Sequence, residues 1–190
     1  MKTRFFFFIV ILLIACNTDA IDETDYTPKP KALIKLDFPA KVYEKLDIDC
    51  PFIFEFPAYS KLLKKENSCS MDLSFPMQNG VLYLSYFALD NNLKSHTEQS
   101  IKLAYKHNII ADGITEQFYI NDSLNVYGVL FDYEGITATA AQFYLTDSIN
   151  HFFRGALYFN AEVSDSILPI NLFLKYDIKH LIETFHWKDK

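Results

Sequence analysis

The groups whose types and spacing suggest chemistry are few. Asp147-Ser148 followed by His151 holds the residue types of a hydrolytic triad. No glycine elbow of the Gly-x-Ser-x-Gly kind surrounds Ser148. Asp and Ser between two strands ordinarily build a turn, and a turn is the expected reading. Among the five histidines, His180 and His186 with Glu183 between them invite a metal. Their spacing is three and three, not the i, i+4 pair that sets two imidazoles over one ion. They fall away from the apolar stripe of their helix and are expected as solvated surface groups. Asp132 and Glu134 flank a turn at Gly135; paired carboxylates do acid–base work only across a cleft, and here exposure is expected. No catalytic residue, metal ligand or cofactor site is assigned, and the chain is not expected to be an enzyme.

Two residue types carry chemistry of another kind. Lys2 and Arg4 precede an unbroken apolar run, Phe5 to Ala15, which ends at Cys16. A basic start, a short apolar core and a small residue make a secretory signal. The run is too short for a membrane span, which needs about 20 residues. Cysteine directly after Ala15 looks like a bacterial lipobox. The expectation is a signal peptide over residues 1–15, cleavage after Ala15 and acylation of Cys16; a plain cleaved signal is the alternative. Two acyl chains already anchor a protein stably. That places the chain outside the cytoplasm, in the cell envelope. With Cys16 acylated, Cys50 and Cys69 remain, and in an oxidising compartment two cysteines are expected to pair. Two free buried thiols are the alternative reading.

Arg154 lies in the otherwise apolar run Phe152 to Phe159. A guanidinium there must reach solvent or find a carboxylate or carbonyl. It is read either as a buried structural ion pair or as a contact for a partner's carboxylate or a ligand.

Charge narrows the partners. The chain has 18 basic and 24 acidic residues, net -6; loss of Lys2 and Arg4 leaves 16 against 24, net -8. An acidic domain has no electrostatic reason to hold nucleic acid or anionic lipid.

The elements that must position these groups follow from periodicity. Residues 16–31 have the composition of a flexible tether: Asp19, Asp22, Glu23 and Asp25, then Pro28 and Pro30. Extended, residues 17–31 reach about 50 Å. Residues 32–190 read as one domain. Strands are expected at Val81–Tyr86 after the turn pair Asn79-Gly80, at Ile114–Ile120, Leu124–Tyr133, Ile136–Leu145 and Phe152–Phe159. Short connections make their sheet antiparallel. A helix is expected from the capping box Ser95-His96-Thr97-Glu98 to about His107, with Ile101, Ala104 and Tyr105 on one face. A second helix follows Pro169, with Leu174, Ile178, Leu181, Ile182 and Phe185 in one stripe. The fold class is α+β, a mainly antiparallel sheet covered by helices, in an order that also occurs in the Mog1/PsbP-like sandwich. Tyr83, Tyr86, Tyr119, Tyr127, Tyr144 and Tyr158 lie in expected strands, as sheet packing or as an exposed interface or glycan platform.

From about Tyr26 to Lys188 the chain resembles the GldD-type gliding motility lipoproteins of the Bacteroidota. The segments that carry the resemblance are Tyr26-Thr27-Pro28-Lys29-Pro30, Cys50-Pro51-Phe52 with Pro57-Ala58-Tyr59, Leu103 to His107 with Ala111-Asp112, and Val126-Tyr127-Gly128. Gln142 to Phe159, Asp177 to Phe185 and Trp187-Lys188 complete it. Lys31-Ala32 stands where the family often has Arg-Gly, and Ser70 where a Trp often follows the second cysteine. The resemblance implies a part in gliding motility and the associated type IX secretion system, with protein components of that machinery as partners and no catalytic residues to carry over. The expected location is the cell envelope through the lipid at Cys16, with the outer membrane facing the periplasm favoured over the inner membrane or cell surface. Cys50 and Cys69 match the family's two cysteines. A small-ligand or glycan-binding envelope lipoprotein is the alternative function.

Overall fold

The computed structural model describes residues 37–106, 111–135, 137–160 and 167–188. Cys16, the tether of residues 16–31, His107 and Ile136 lie outside the described residues.

Residues 35–190 form one compact unit. Its order is β1 (Tyr43–Lys45), β2 (Phe52–Ile53), β3 (Glu55–Pro57), β4 (Lys61–Lys64), β5 (Met71–Phe75), β6 (Gly80–Ala88), α1 (Leu93–Tyr105), β7 (Gly113–Asn121), β8 (Val126–Glu134), β9 (Thr139–Thr146), β10 (His151–Phe159), α2 (Ile167–Thr184) and β11 (His186–Trp187). Seven strands make the main sheet in the order β4-β5-β6-β10-β9-β8-β7. Every neighbouring pair in it is antiparallel. The α+β expectation holds. β6 runs beside β10 rather than β7, because α1 carries the chain from the sheet's interior to its far edge. Two small ribbons, β1 with β3 and β2 with β11, complete the pairing.

Alternation sorts each strand's side chains between the two faces. One face carries Leu82, Leu84, Phe143, Leu145, Phe153 and Leu157, all buried in the main core with Leu174, Ile178, Leu181, Ile182 and Phe185 of α2. The helical stripe is buried as its period requires. Pro169 lies inside the first turn of α2, not before it. Proline fits there because first-turn N–H groups have no helical partner. Phe52, Phe54, Phe153 and Phe185 form an aromatic cluster, with Phe52 and Phe153 centred 4.7 Å apart and Phe153 and Phe185 5.1 Å apart. Each fully buried Phe contributes roughly 1.5–3 kcal/mol.

The other face packs α1 against Val129, Phe131 and Tyr133. The helix begins two residues before the expected Ser95 cap. Asn92 is its N-cap and makes no side-chain cap bond; Asn92 Oδ1 accepts from the Asp90 N–H at 3.0 Å instead. Its buried residues are Ser100 and Ala104, while Ile101 and Tyr105 are exposed. Small side chains at 100 and 104 let the helix settle on the sheet, and the Tyr133 hydroxyl donates to the Ala104 carbonyl at 2.9 Å. The helices thus lie on opposite faces of one sheet.

β4 and β5 have no counterpart among the expected strands. The connection between them is tied to the segment before β2 by a disulfide between Cys50 and Cys69, whose Cα atoms are 5.7 Å apart. Gly128 in β8 sits where a methyl group would run into the carbonyl oxygen of Tyr144. Only a bare backbone allows that approach.

Candidate functional site

The three residues of the apparent triad do not assemble one. Asp147 Oδ1 accepts backbone N–H bonds from Ile149 at 3.0 Å and from Asn150 and His151 at 2.8 Å. It closes the β9–β10 turn. Burial acts to raise the Asp147 pKa, but these three donors outweigh it and hold the carboxyl below its usual range. Ser148 takes a left-handed φ of 70° at the turn apex. His151 Nδ1 faces the Tyr86 hydroxyl at 2.7 Å rather than Ser148.

The His180, Glu183 and His186 expectation needs correction in part. Glu183 is exposed. His180 is not simply solvated: its ring stacks on Tyr43 at 3.6 Å and Nε2 lies 2.8 Å from Glu55 Oε2. The imidazole seals the β1–β3 ribbon onto α2. Asp132 also departs from expectation. It is partly buried and paired with Lys175 of α2, whose ammonium also donates to the Tyr133 carbonyl at 2.7 Å. Its strand position turns it toward the helix that supplies this cation. Glu134 is exposed and accepts from the Thr115 hydroxyl at 3.2 Å. Among the described residues no three His, Cys, Asp or Glu side chains converge as a metal site.

Arg154 is half-buried on the α1 face of the sheet. Its Nη2 donates to Gln142 Oε1 at 3.0 Å, so its partner there is a neutral amide rather than a carboxylate. Burial lowers its pKa, with the Tyr158 and Tyr133 hydroxyls acting the other way. Of the six strand tyrosines, only Tyr83 is exposed; the others are half-buried. They do not make a tyrosine platform.

Two constellations emerge that have no counterpart among the sequence-based expectations. The first centres on Asp177, which is 2 % exposed. Lys41 Nζ approaches Oδ2 at 2.7 Å, the Tyr43 hydroxyl donates to Oδ1 at 2.9 Å, and the Tyr59 hydroxyl donates to Oδ2. The same ammonium lies 3.3 Å from the Phe173 ring centroid. Burial lowers the Lys41 pKa, opposed by the hydrogen bond and charge of Asp177. Burial and then the Asp177 hydrogen bond raise both tyrosines, which stay neutral donors. The sequence holds one signal for this cluster: Asp177 is three residues after Leu174 and four before Leu181, inside the apolar stripe. A carboxylate there must find partners. They come from residues 41–59, which the helical pattern cannot reveal.

The second is a polar cleft of about 390 Å³ at one end of the sheet. The β7–β8 turn supplies Asn125, the β9–β10 turn Asp147 and Asn150, the first residue of β10 His151, and β11 His186 and Trp187. Trp187 stacks on His151 at 5.0 Å and its Nε1 donates to the Asn125 carbonyl at 3.1 Å. His186 Nδ1 lies 3.1 Å from the Thr184 carbonyl. A ring nitrogen facing a carbonyl must carry the proton, which leaves Nε2 of the neutral ring as an acceptor.

Against this geometry, a family model for the gliding motility lipoprotein GldD matches residues 23–187. The chain belongs to the GldD family. That range spans the whole described fold except its last residue and includes both constellations. The GldD description names a lipoprotein and a motility role, and no reaction. It implies a membrane-anchored location in the cell envelope. No helix among the described residues is long and apolar enough to cross a membrane. Comparison with curated proteins returns no match.

Proposed function

We propose that this protein is a lipid-anchored, non-catalytic component of the gliding machinery that acts by contact with other envelope proteins and supports type IX secretion. The observation that carries this reading is the family match over residues 23–187. Cys16 would carry the lipid, residues 17–31 would span from the membrane, and residues 32–190 would form the contacting domain. The outer membrane, facing the periplasm, is the location we favour.

The non-catalytic part draws support from the engagement of the reactive groups: Asp147 closes a turn, His151 meets Tyr86, and Asp132 pairs with Lys175. The contact part draws support from β7. It is the last strand of the sheet, nine residues long, with Phe118 67 % and Ile120 73 % exposed. Among the described residues no strand pairs with its outer side; an edge of that kind with exposed apolar side chains is a template for another strand, so the partner it fits is an extended segment of an envelope protein. Lysines at Phe118 and Ile120 would blunt that edge without touching the core. The double variant Phe118→Lys/Ile120→Lys is expected to fold, to accumulate normally and to fail to restore spreading on agar to a deletion strain. Normal spreading and secretion by the deletion strain itself would overturn the function; full rescue by the double variant would overturn β7 as the contact edge.

A further inference from the structure

We propose that the cleft between the β7–β8 turn, the β9–β10 turn and β11 is a binding site for a neutral saccharide. The inference goes beyond the contact role above and stands on this cleft alone. Its size falls within the range of small-ligand sites, about 300–1,000 Å³.

The lining chemistry selects among ligand classes. Asp147 contributes one negative charge, held ionised by its three backbone donors. Lys188 also lines the cleft, with its ammonium donating to the Ile48 carbonyl at 2.5 Å. One carboxylate and one tied ammonium leave no surplus charge for a phosphate or other strong anion. With no three metal-ligating groups converging among the described residues, a cation has no cage. An apolar ligand would strand the polar side chains of the wall, two amides and two imidazoles among them.

What remains suits hydroxyl groups. The Asn125 and Asn150 amides each offer donors and an acceptor, the geometry that pairs with neighbouring hydroxyls on one ring. His186 Nε2 is an acceptor, and His151, with Nδ1 engaged by Tyr86, has Nε2 left for a ligand. Trp187 adds an aromatic surface whose negative face attracts the polarised C–H bonds of a sugar ring. Its indole is held in place by His151 on one side and the Asn125 carbonyl at its nitrogen, so little order is lost on binding.

The chain has a single tryptophan, and it lies in this cleft. Its fluorescence therefore reports the site directly. The probe experiment uses the full chain in detergent. Titrants are maltose, cellobiose and N,N′-diacetylchitobiose, with the zwitterion glycylglycine and inorganic phosphate as competing classes. The expected result is a saturable change in Trp187 emission with at least one disaccharide. A response to diacetylchitobiose alone would assign an N-acetylated glycan, and a response to maltose or cellobiose a plain hexose glycan. Asn150→Ala removes an exposed amide whose side chain makes no hydrogen bond among the described residues, and is expected to weaken the response at least tenfold. The proposal is overturned if no disaccharide gives a saturable change, if only glycylglycine or phosphate does, or if Asn150→Ala binds as tightly as the parent.

Discussion

At the scale of single residues, the carboxylates divide by what holds them. Asp177 is buried and balanced by one ammonium and two phenols. Asp177→Ala leaves Lys41 over Phe173 without its counter-charge. Losing one member of a buried pair costs about 3–5 kcal/mol; Lys41 keeps 30 % of its side-chain exposure, so we expect the lower end of that range. Urea unfolding should show a lower midpoint with an unchanged slope. Asp147 makes a different prediction. Its folded pKa lies below the ordinary carboxylate value. Its contribution is therefore present above the unfolded value of about 3.9 and is lost as pH falls through the folded value. Asp147→Asn should be less stable than the parent at neutral pH, and the gap should close in acid. Urea midpoints at neutral and strongly acidic pH read this directly; a gap that widens in acid would contradict it. For Arg154, truncation to Ala removes the donor to Gln142 Oε1, and a loss of about 1–3 kcal/mol in the same assay is expected.

At the scale of elements, the N-terminal part of the domain depends on long-range ties. β1, β2 and β3 are two or three residues each, too short to stand as a sheet of their own. They are held by the Asp177 cluster, by His180 on Tyr43 and by the Cys50–Cys69 bond. The sequence separation across that bond is 19 residues. Closing a loop of that size contributes about 3 kcal/mol in the chain-entropy account. The Cys50→Ser/Cys69→Ser variant should lose about that much, and non-reducing gels of the parent should shift on reduction while the variant's do not. The main strands were legible because their alternation is local: β6, β8 and β10 fall within two residues of their expected ends. β4 was not legible, because Lys61-Leu62-Leu63-Lys64 lies on an edge and buries only one face weakly. The start of α1 was misread through its capping residues. Ser95 and Glu98 fit a capping box, yet Leu93 opens the helix and Glu98 lies 3.8 Å from Lys94 instead.

At the scale of the whole molecule, a lipid at Cys16 and an acidic tether would hold the domain at a membrane by its first residues. Cys16→Ser should abolish fatty-acid labelling in cells and release the protein from the membrane fraction. Continued labelling would refute the anchor. The α+β class, the antiparallel sheet and the two helices were written in the sequence, since hydrophobic period and turn residues act over a few positions. So was the family, carried by ordered segments along the chain. What only the tertiary structure decided was every grouping of residues far apart in sequence. Asp177 meets Lys41, Tyr43 and Tyr59 across more than a hundred positions. Asn125, Asp147, His151 and Trp187 come to one cleft from two turns and the strands β10 and β11. Local pattern states which face of an element is apolar. It does not state which distant element will cover that face, and both constellations arise from that choice.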